Sequence, residues 1–456
     1  MLDVPLASLR SLFWPDSETS TNQRLSYDDT RCMKHSNAHD ATACIMSGQR
    51  VFIHGAAATP HALIAGIISH AERLTDVELI HIHTDGDGAY AAPEYRESFR
   101  VANLFVGHNM RARMDGDRVD YLPCFLSEIP QLFRSGRRPI DVAAISVSPP
   151  GPHGFCTLGP SVDVAQAAVK AAKVVIAQVN QQMPRVAGGG LVHQSEIDHW
   201  IEVDQPLPEA PPARLDATHT AIGQHVAGLV EDGATLQMGI GAVPDAVLAA
   251  LVHHRNLGVH TEMFSDGLLP LLESGVVDNS LKHHHPGKTI ATFAAGTRAL
   301  YRYIDQNPSI ELHDAGWVND VTNIRRNPRV TAINSALAVD LSGQICADSL
   351  GHRIISGVGG QMDFIRGASL SEGGKPIIAL PSRTRKGDPR IVHTLRPGSG
   401  VVTTRAHVHF VATEHGVVDL FGKTINERAQ LLISIAHPDD REPLTRGWAN
   451  ARLATV

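Results

Sequence analysis

Ala234 to His254 reads A-T-L-Q-M-G-I-G-A-V-P-D-A-V-L-A-A-L-V-H-H. An apolar strand-like run meets a glycine turn, and beyond it Val243, Val247, Ala250 and Leu251 recur at helical spacing. Pro244 suits a first helical turn, where its missing N–H costs nothing, so the helix is predicted to start directly over Gly239 to Gly241. The same order occurs earlier: V-F-I-H-G (Val51 to Gly55), a small-residue turn ending at Pro60, then H-A-L-I-A-G-I-I-S-H-A (His61 to Ala71). The likeness stops at that pattern and does not extend to a residue-level repeat. Strand and helix alternating in both halves predicts parallel α/β layers in each.

Working outward, V-D-Q-P-L-P-E-A-P-P-A-R-L-D (Val203 to Asp216) sets four prolines in a short polar run, which precludes a regular helix or a central strand. It reads as a linker between two domains, residues 1–208 and 209–456, a division that suits a chain longer than one core usually supports.

With 43% hydrophobic and 19% charged residues, the composition is that of a globular enzyme and not of a disordered chain. A formal charge of −7 supplies no basic field for nucleic acid. Five scattered cysteines (Cys32, Cys44, Cys124, Cys156, Cys346) without C-x-x-C point to a reducing cytoplasm. The opening M-L-D-V-P-L-A-S-L-R-S-L-F-W lacks a basic n-region, and no apolar run approaches the ~18 to 20 residues of a bilayer span, so neither export nor membrane insertion is expected.

The chemistry centres on G-V-H-T-E-M-F-S-D-G (Gly258 to Gly267), which sets Glu262 where an apolar strand gives way to a loop. Taken alone, such an acid reads as a buried carboxylate that caps the next turn or pairs with a basic neighbour. Two glycine turns, G-I-G at Gly239 to Gly241 and G-V-G-G at Gly357 to Gly360, suggest instead an acyl-transfer site, although each by itself also reads as a tight strand-to-helix turn. Ser265 and Asp266 are placed to cap the helix of L-L-P-L-L-E-S. The basic loop S-R-T-R-K-G (Ser382 to Gly387) reads either as solvated surface or as a phosphate contact. The triplet His283 to His285 reads as an exposed loop, and His407 and His409 as a packed or surface pair on one strand face.

These segments resemble the acetyl-CoA hydrolase/transferase family, the family I CoA-transferases that include 4-hydroxybutyrate and acetate CoA-transferases. The resemblance covers most of the chain, from F-I-H-G-A-A-A-T-P (Phe52 to Pro60) through V-N-Q-Q-M-P-R (Val179 to Arg185), L-Q-M-G-I-G-A-V-P and H-T-E-M-F-S-D-G to I-N-S-A-L-A-V-D-L-S-G-Q and S-G-V-G-G-Q-M-D-F. It implies two related α/β domains of the NagB-like type facing one active-site cleft. It implies CoA transfer between carboxylic acids by a ping-pong route, through an acyl-glutamyl anhydride and a glutamyl-CoA thioester on Glu262. Gly359 or Gly360 would supply a backbone oxyanion donor and Asn334 a side-chain donor. Gly239, Ile240, Gly241, Ala242, Val243 and Gly357 would approach coenzyme A, with Arg383 and Lys386 at its phosphates. Coenzyme A enters as substrate, with no tightly bound cofactor and no metal; the other partners are a small carboxylic acid and further copies of the chain, as a dimer or dimer of dimers. Acyl-CoA hydrolysis on the same glutamate is the nearest rival, and a non-catalytic acyl-CoA sensor a rival of another class. Ala338 and Gly151-Pro152 depart from the family pattern, so the acid is not carried over.

Overall fold

The computed structural model describes residues 33–239 and 241–453, with no side-chain description for 451–453. Ile240, Cys32 and the opening segment read above lie outside these residues. The first half builds an eight-stranded sheet, in spatial order Met33–Lys34, His199–Val203, Val174–Asn180, Val142–Val147, Arg50–Ile53, Val77–His81, Phe99–Asn103 and Val119–Tyr121. Every pair in it is parallel. Parallel strands are covered on both faces, which is why Val142–Val147 is buried at every position.

The second sheet runs Gly258–Val259, Thr235–Met238, Val330–Asn334, Lys375–Ala379, Phe410–Thr413 and Gly416–Asp419, parallel except for the antiparallel last pair. The decisive stretch folds as read. Thr235–Met238 is a strand and Ala242–Ala250 a helix, with Pro244 in its first turn and Val243, Val247 and Leu251 buried. Gly241, at φ +111, makes the turn in a region that favours glycine. The helix lies against Ala217–Ala227 so closely that a Cβ at Gly223 would stand 2.5 Å from the Ala246 carbonyl oxygen. In the earlier copy, Arg50–Ile53 is followed by the helix His61–Ile68.

Residues 204–216 hold no helix or strand, as their prolines require. They are nonetheless pinned: Asn180 Nδ2 donates to the Gln205 carbonyl at 2.8 Å and the Tyr301 hydroxyl to that of Pro208 at 2.8 Å. One apolar cluster runs across this boundary, joining Ile145 and Val179 to Leu236 and Ile333. A three-stranded parallel sheet of Thr289–Ala291, Ile310–Leu312 and Ala187–Gly188 also takes strands from both halves. The protein is thus a two-domain α/β fold whose halves share core and sheet.

Candidate active site

Ligands of parallel sheets bind beyond the carboxyl ends of the strands, and the site residues stand there. Gly239 follows Thr235–Met238, Asn334 ends Val330–Asn334, and Glu262 follows Gly258–Val259 after two residues. The backbone around Glu262 is fixed from several sides. His260 Nε2 lies 2.7 Å from the Val318 carbonyl oxygen, and the Thr261 hydroxyl bridges the carbonyls of Met238 and Met263 at 3.1 Å each. The Glu262 carbonyl accepts from the Thr292 N–H (2.9 Å), the Thr292 hydroxyl (2.8 Å) and the Phe293 N–H (3.2 Å).

The side chain is therefore aimed, and two donors meet it. Asn319 Nδ2 donates to Glu262 Oε2 at 3.3 Å, and the Gly360 N–H hydrogen-bonds the same carboxyl. Gly359, left-handed at φ +57, turns the chain so that Gly360 can head the helix Gln361–Leu370. A Cβ at Gly360 would stand 2.0 Å from Glu262 Oε2 and 2.1 Å from Asn319 Nδ2, so only glycine fits there. Glu262 keeps a little solvent exposure. Burial nevertheless pushes its carboxyl up to about 7; the negative charges of Asp363 and Asp163 add to this, while Asn319 and the Gly360 N–H oppose it. Perturbation of this kind in a carboxyl that still reaches solvent suits a reactive group.

The structure thus brings Glu262, Gly359 and Gly360 together. It puts Asn319, and not Asn334, in hydrogen-bond contact with the glutamate; Asn334 Nδ2 donates to Gln237 Oε1 on the neighbouring strand at 2.9 Å. Asn319 has no motif around it. It closes the short helix Ala315–Val318, and in sequence V-N-D reads as an ordinary helix boundary. Gly239, Gly241 and Ala242 form the turn and helix start beside the site, with open space where a Gly241 Cβ would lie. The Val243 side chain is buried in the core. Gly357 meets Phe105 of the first domain, where a Cβ would come within 2.7 Å of the ring.

Other expectations need correction. Arg383 is committed within the protein: its guanidinium forks over Asp440 at 2.7 and 2.8 Å and reaches Asp439 at 3.3 Å, which leaves exposed Arg385 and Lys386 as the cations at the tip of that loop. Ser265 makes no side-chain cap, and Asp266 instead accepts from the N–H (2.8 Å) and hydroxyl (2.6 Å) of Thr297. His407 and His409 precede the strand Phe410–Thr413, one bonded to Thr404 and the other against the Phe421 ring. His285 lies in a loop, 3.5 Å from Glu311, and among the described residues no group of three or more His, Cys, Asp or Glu is placed to hold a metal. Gly151 has a local reason: Arg185 clamps the loop through the carbonyls of Pro149 (2.6 Å) and Phe155 (3.2 Å), and a Cβ at 151 would stand 2.8 Å from its guanidinium.

Comparison with known proteins agrees with this geometry. Residues 20–210 match the acetyl-CoA hydrolase/transferase N-terminal domain and residues 296–448 its C-terminal domain. A succinyl-CoA:acetate/propanoyl-CoA:succinate CoA transferase of Fasciola hepatica is 48% identical over 416 residues, covering 90% of this chain and 87% of its own. A 4-hydroxybutyrate coenzyme A transferase of Clostridium kluyveri is 45% identical over 408 residues, covering 89% and 95%. The crystal structure of RipA from Yersinia pestis superposes with a TM-score of 0.88 at 34% identity, covering 93% of this chain and 98% of that one. The chain belongs to the acetyl-CoA hydrolase/transferase family, the family I CoA-transferases, and is an enzyme of CoA transfer.

Proposed function

We propose that the protein moves CoA between short carboxylic acids by a ping-pong reaction on Glu262. The observation that carries this reading is the convergence of the Asn319 amide and the Gly360 N–H on one carboxyl whose backbone is locked in place. A carboxylate is a poor nucleophile toward a thioester in water, because it is well solvated; burial removes that solvation and contacts to the remote coenzyme offset the cost. A Glu262 oxygen attacks the thioester carbonyl carbon, the C–S bond breaks, and CoA leaves as thiolate. The thiolate then attacks the glutamyl carbonyl carbon of the anhydride, expelling the first acid as carboxylate and leaving glutamyl-CoA. A second carboxylate reverses both steps. The oxyanion is the acyl carbonyl oxygen in the first tetrahedral state and a glutamyl oxygen in the second, which the two N–H donors already face.

Met263, Phe293 and Ala56 form an apolar cluster beside the glutamate, which favours a short apolar acyl group such as acetyl or propionyl. Arg385 and Lys386 are the candidate phosphate contacts. The reading extends to a homo-oligomer in a reducing cytoplasm, where Cys44, Cys124 and Cys346 remain thiols. Light scattering on the purified protein checks the oligomer.

The test is trapping. Incubation with acetyl-CoA without an acceptor, followed by borohydride, should reduce the glutamyl thioester, inactivate the enzyme and mark Glu262 in a peptide map. Full activity after treatment, with acetyl-CoA shown to bind, overturns the intermediate. Adding a panel of acids while following free thiol and new acyl-CoA separates transfer from hydrolysis, which releases thiol without forming new acyl-CoA.

A further inference from the structure

Asn319 meets two carboxylates. Its Nδ2 donates at 3.3 Å to Glu262 Oε2 and at 3.3 Å to Asp363 Oδ2, while its Oδ1 is buried without a hydrogen-bond partner. The amide orientation is therefore not set by anything bonded to the oxygen. Turned over, the amide would present Oδ1 to two acids, so the carboxylates hold the nitrogen toward themselves. Asp363 lies in the first turn of Gln361–Leu370, the helix that Gly360 heads, and it is buried with no cationic partner among the described residues. Its other bonds come from the first domain: the Ser127 hydroxyl donates to Oδ1 at 2.8 Å and the Ser127 N–H to Oδ2 at 3.2 Å.

The same stretch of the second domain is held by the first along its whole approach. Ile355 accepts from Arg111 Nε at 2.6 Å, Ser356 from the Val106 N–H at 3.2 Å, and Gly359 from the Leu126 N–H at 3.0 Å, while the Val358 N–H donates to the Tyr121 hydroxyl at 2.9 Å. Ser127 is the member of this seam that reaches an ionisable side chain. An unpaired carboxylate buried between a serine of one domain and an asparagine of the other costs desolvation energy, and a purely structural contact would not require it.

Resting on the reading of Glu262 as nucleophile, we propose that Asp363 is a positioning residue: it holds the Asn319 amide toward Glu262 and, through Ser127, makes that hold depend on the seating of the first domain. Asp363 touches neither substrate nor reacting atoms; it acts through Asn319. Replacing it with asparagine removes the negative charge: with the new oxygen toward Nδ2 the bond loses its charge assistance, and with the new NH2 there the Asn319 amide is free to turn.

The experiment is a double-mutant cycle on the full-length enzyme, reading single-turnover thiol release from acetyl-CoA together with KM and thermal melting. Asp363→Asn should lower the rate about 10- to 100-fold, with KM for acetyl-CoA within a few-fold and melting little changed. In the Asn319→Ala background the same substitution should add less than about 2-fold, because residues acting through one group are not additive. Ser127→Ala should lower the rate about 3- to 10-fold and likewise lose its effect without Asn319. A wild-type rate in Asp363→Asn overturns the proposal, as does a loss that persists in full without Asn319. If Asp363→Asn fails to fold, the Ser127→Ala pair decides by the same criterion. Glu262→Ala run alongside separates the two readings: if it is inactive while Asp363→Asn is normal, only this proposal fails, and if it is active, the nucleophile reading fails as well.

Discussion

Gly360 and Glu262 fit only because residue 360 has no side chain: a Cβ there would stand 2.0 Å from Glu262 Oε2. Gly360→Ala must displace the glutamate, the Asn319 amide or its own N–H. Turnover should fall by at least ~10²-fold, as for loss of a well-placed oxyanion donor. Steady-state kinetics with acetyl-CoA checks this, and an active Gly360→Ala enzyme would contradict the geometry.

Asn319 and Asn334 can be told apart directly. Asn319→Ala should lower kcat by about 10²- to 10³-fold, with affinity for CoA within a few-fold. Asn334→Ala removes a bond to Gln237 on the neighbouring strand and should cost far less in kcat. The reverse ranking would return the donor role to Asn334.

The Glu262 carboxyl titrates near 7, chiefly because burial disfavours its anion. The anion is the nucleophile, so kcat/KM for acetyl-CoA should rise with pH and level off above about 7. A profile that is flat between pH 6 and 8 would count against this assignment.

The same shift acts on stability with a defined sign. The folded chain keeps a proton on Glu262 between the ordinary 4.5 and about 7, where the unfolded chain has released it. Stability from this group is present below 4.5 and is lost as pH rises through 7. Glu262→Gln has no such loss, so at pH 8 it should be more stable than wild type by on the order of 1 kcal/mol, and at pH 4 the two should melt together. Thermal melts at the two pH values decide it.

Away from the site, Glu78 is buried in the strand Val77–His81 and paired to Arg50, Arg100 and Arg138. Glu78→Ala leaves Arg50 and Arg138 without their anion, while Arg100 keeps Asp76 at 3.2 Å. The expected cost is about 3 to 5 kcal/mol in chemical denaturation, and an unchanged denaturation midpoint would show that solvent screens the cluster.

The sequence by itself determined the layered α/β architecture, because hydrophobic period and turn chemistry are local: Thr235–Met238, Gly241 and Ala242–Ala250 follow from residues within a turn or two of one another. It also singled out Glu262 and the glycines at 359 and 360, but only through the resemblance to the family, since a lone acid at a strand end and a double glycine taken alone read as a capping carboxylate and a tight turn. Only the tertiary structure decided what surrounds that acid. Asn319 stands 57 residues from Glu262 along the chain, and Ser127 stands 236 from Asp363; neither has a local pattern, because an ordinary helix-end asparagine and a loop serine acquire a role only when the fold brings them to a carboxylate. Arg383 shows the same limit from the other side. A basic loop reads as ready for phosphate until the C-terminal helix sets Asp439 and Asp440 against it, and a charge pairs with whichever partner the fold brings within reach.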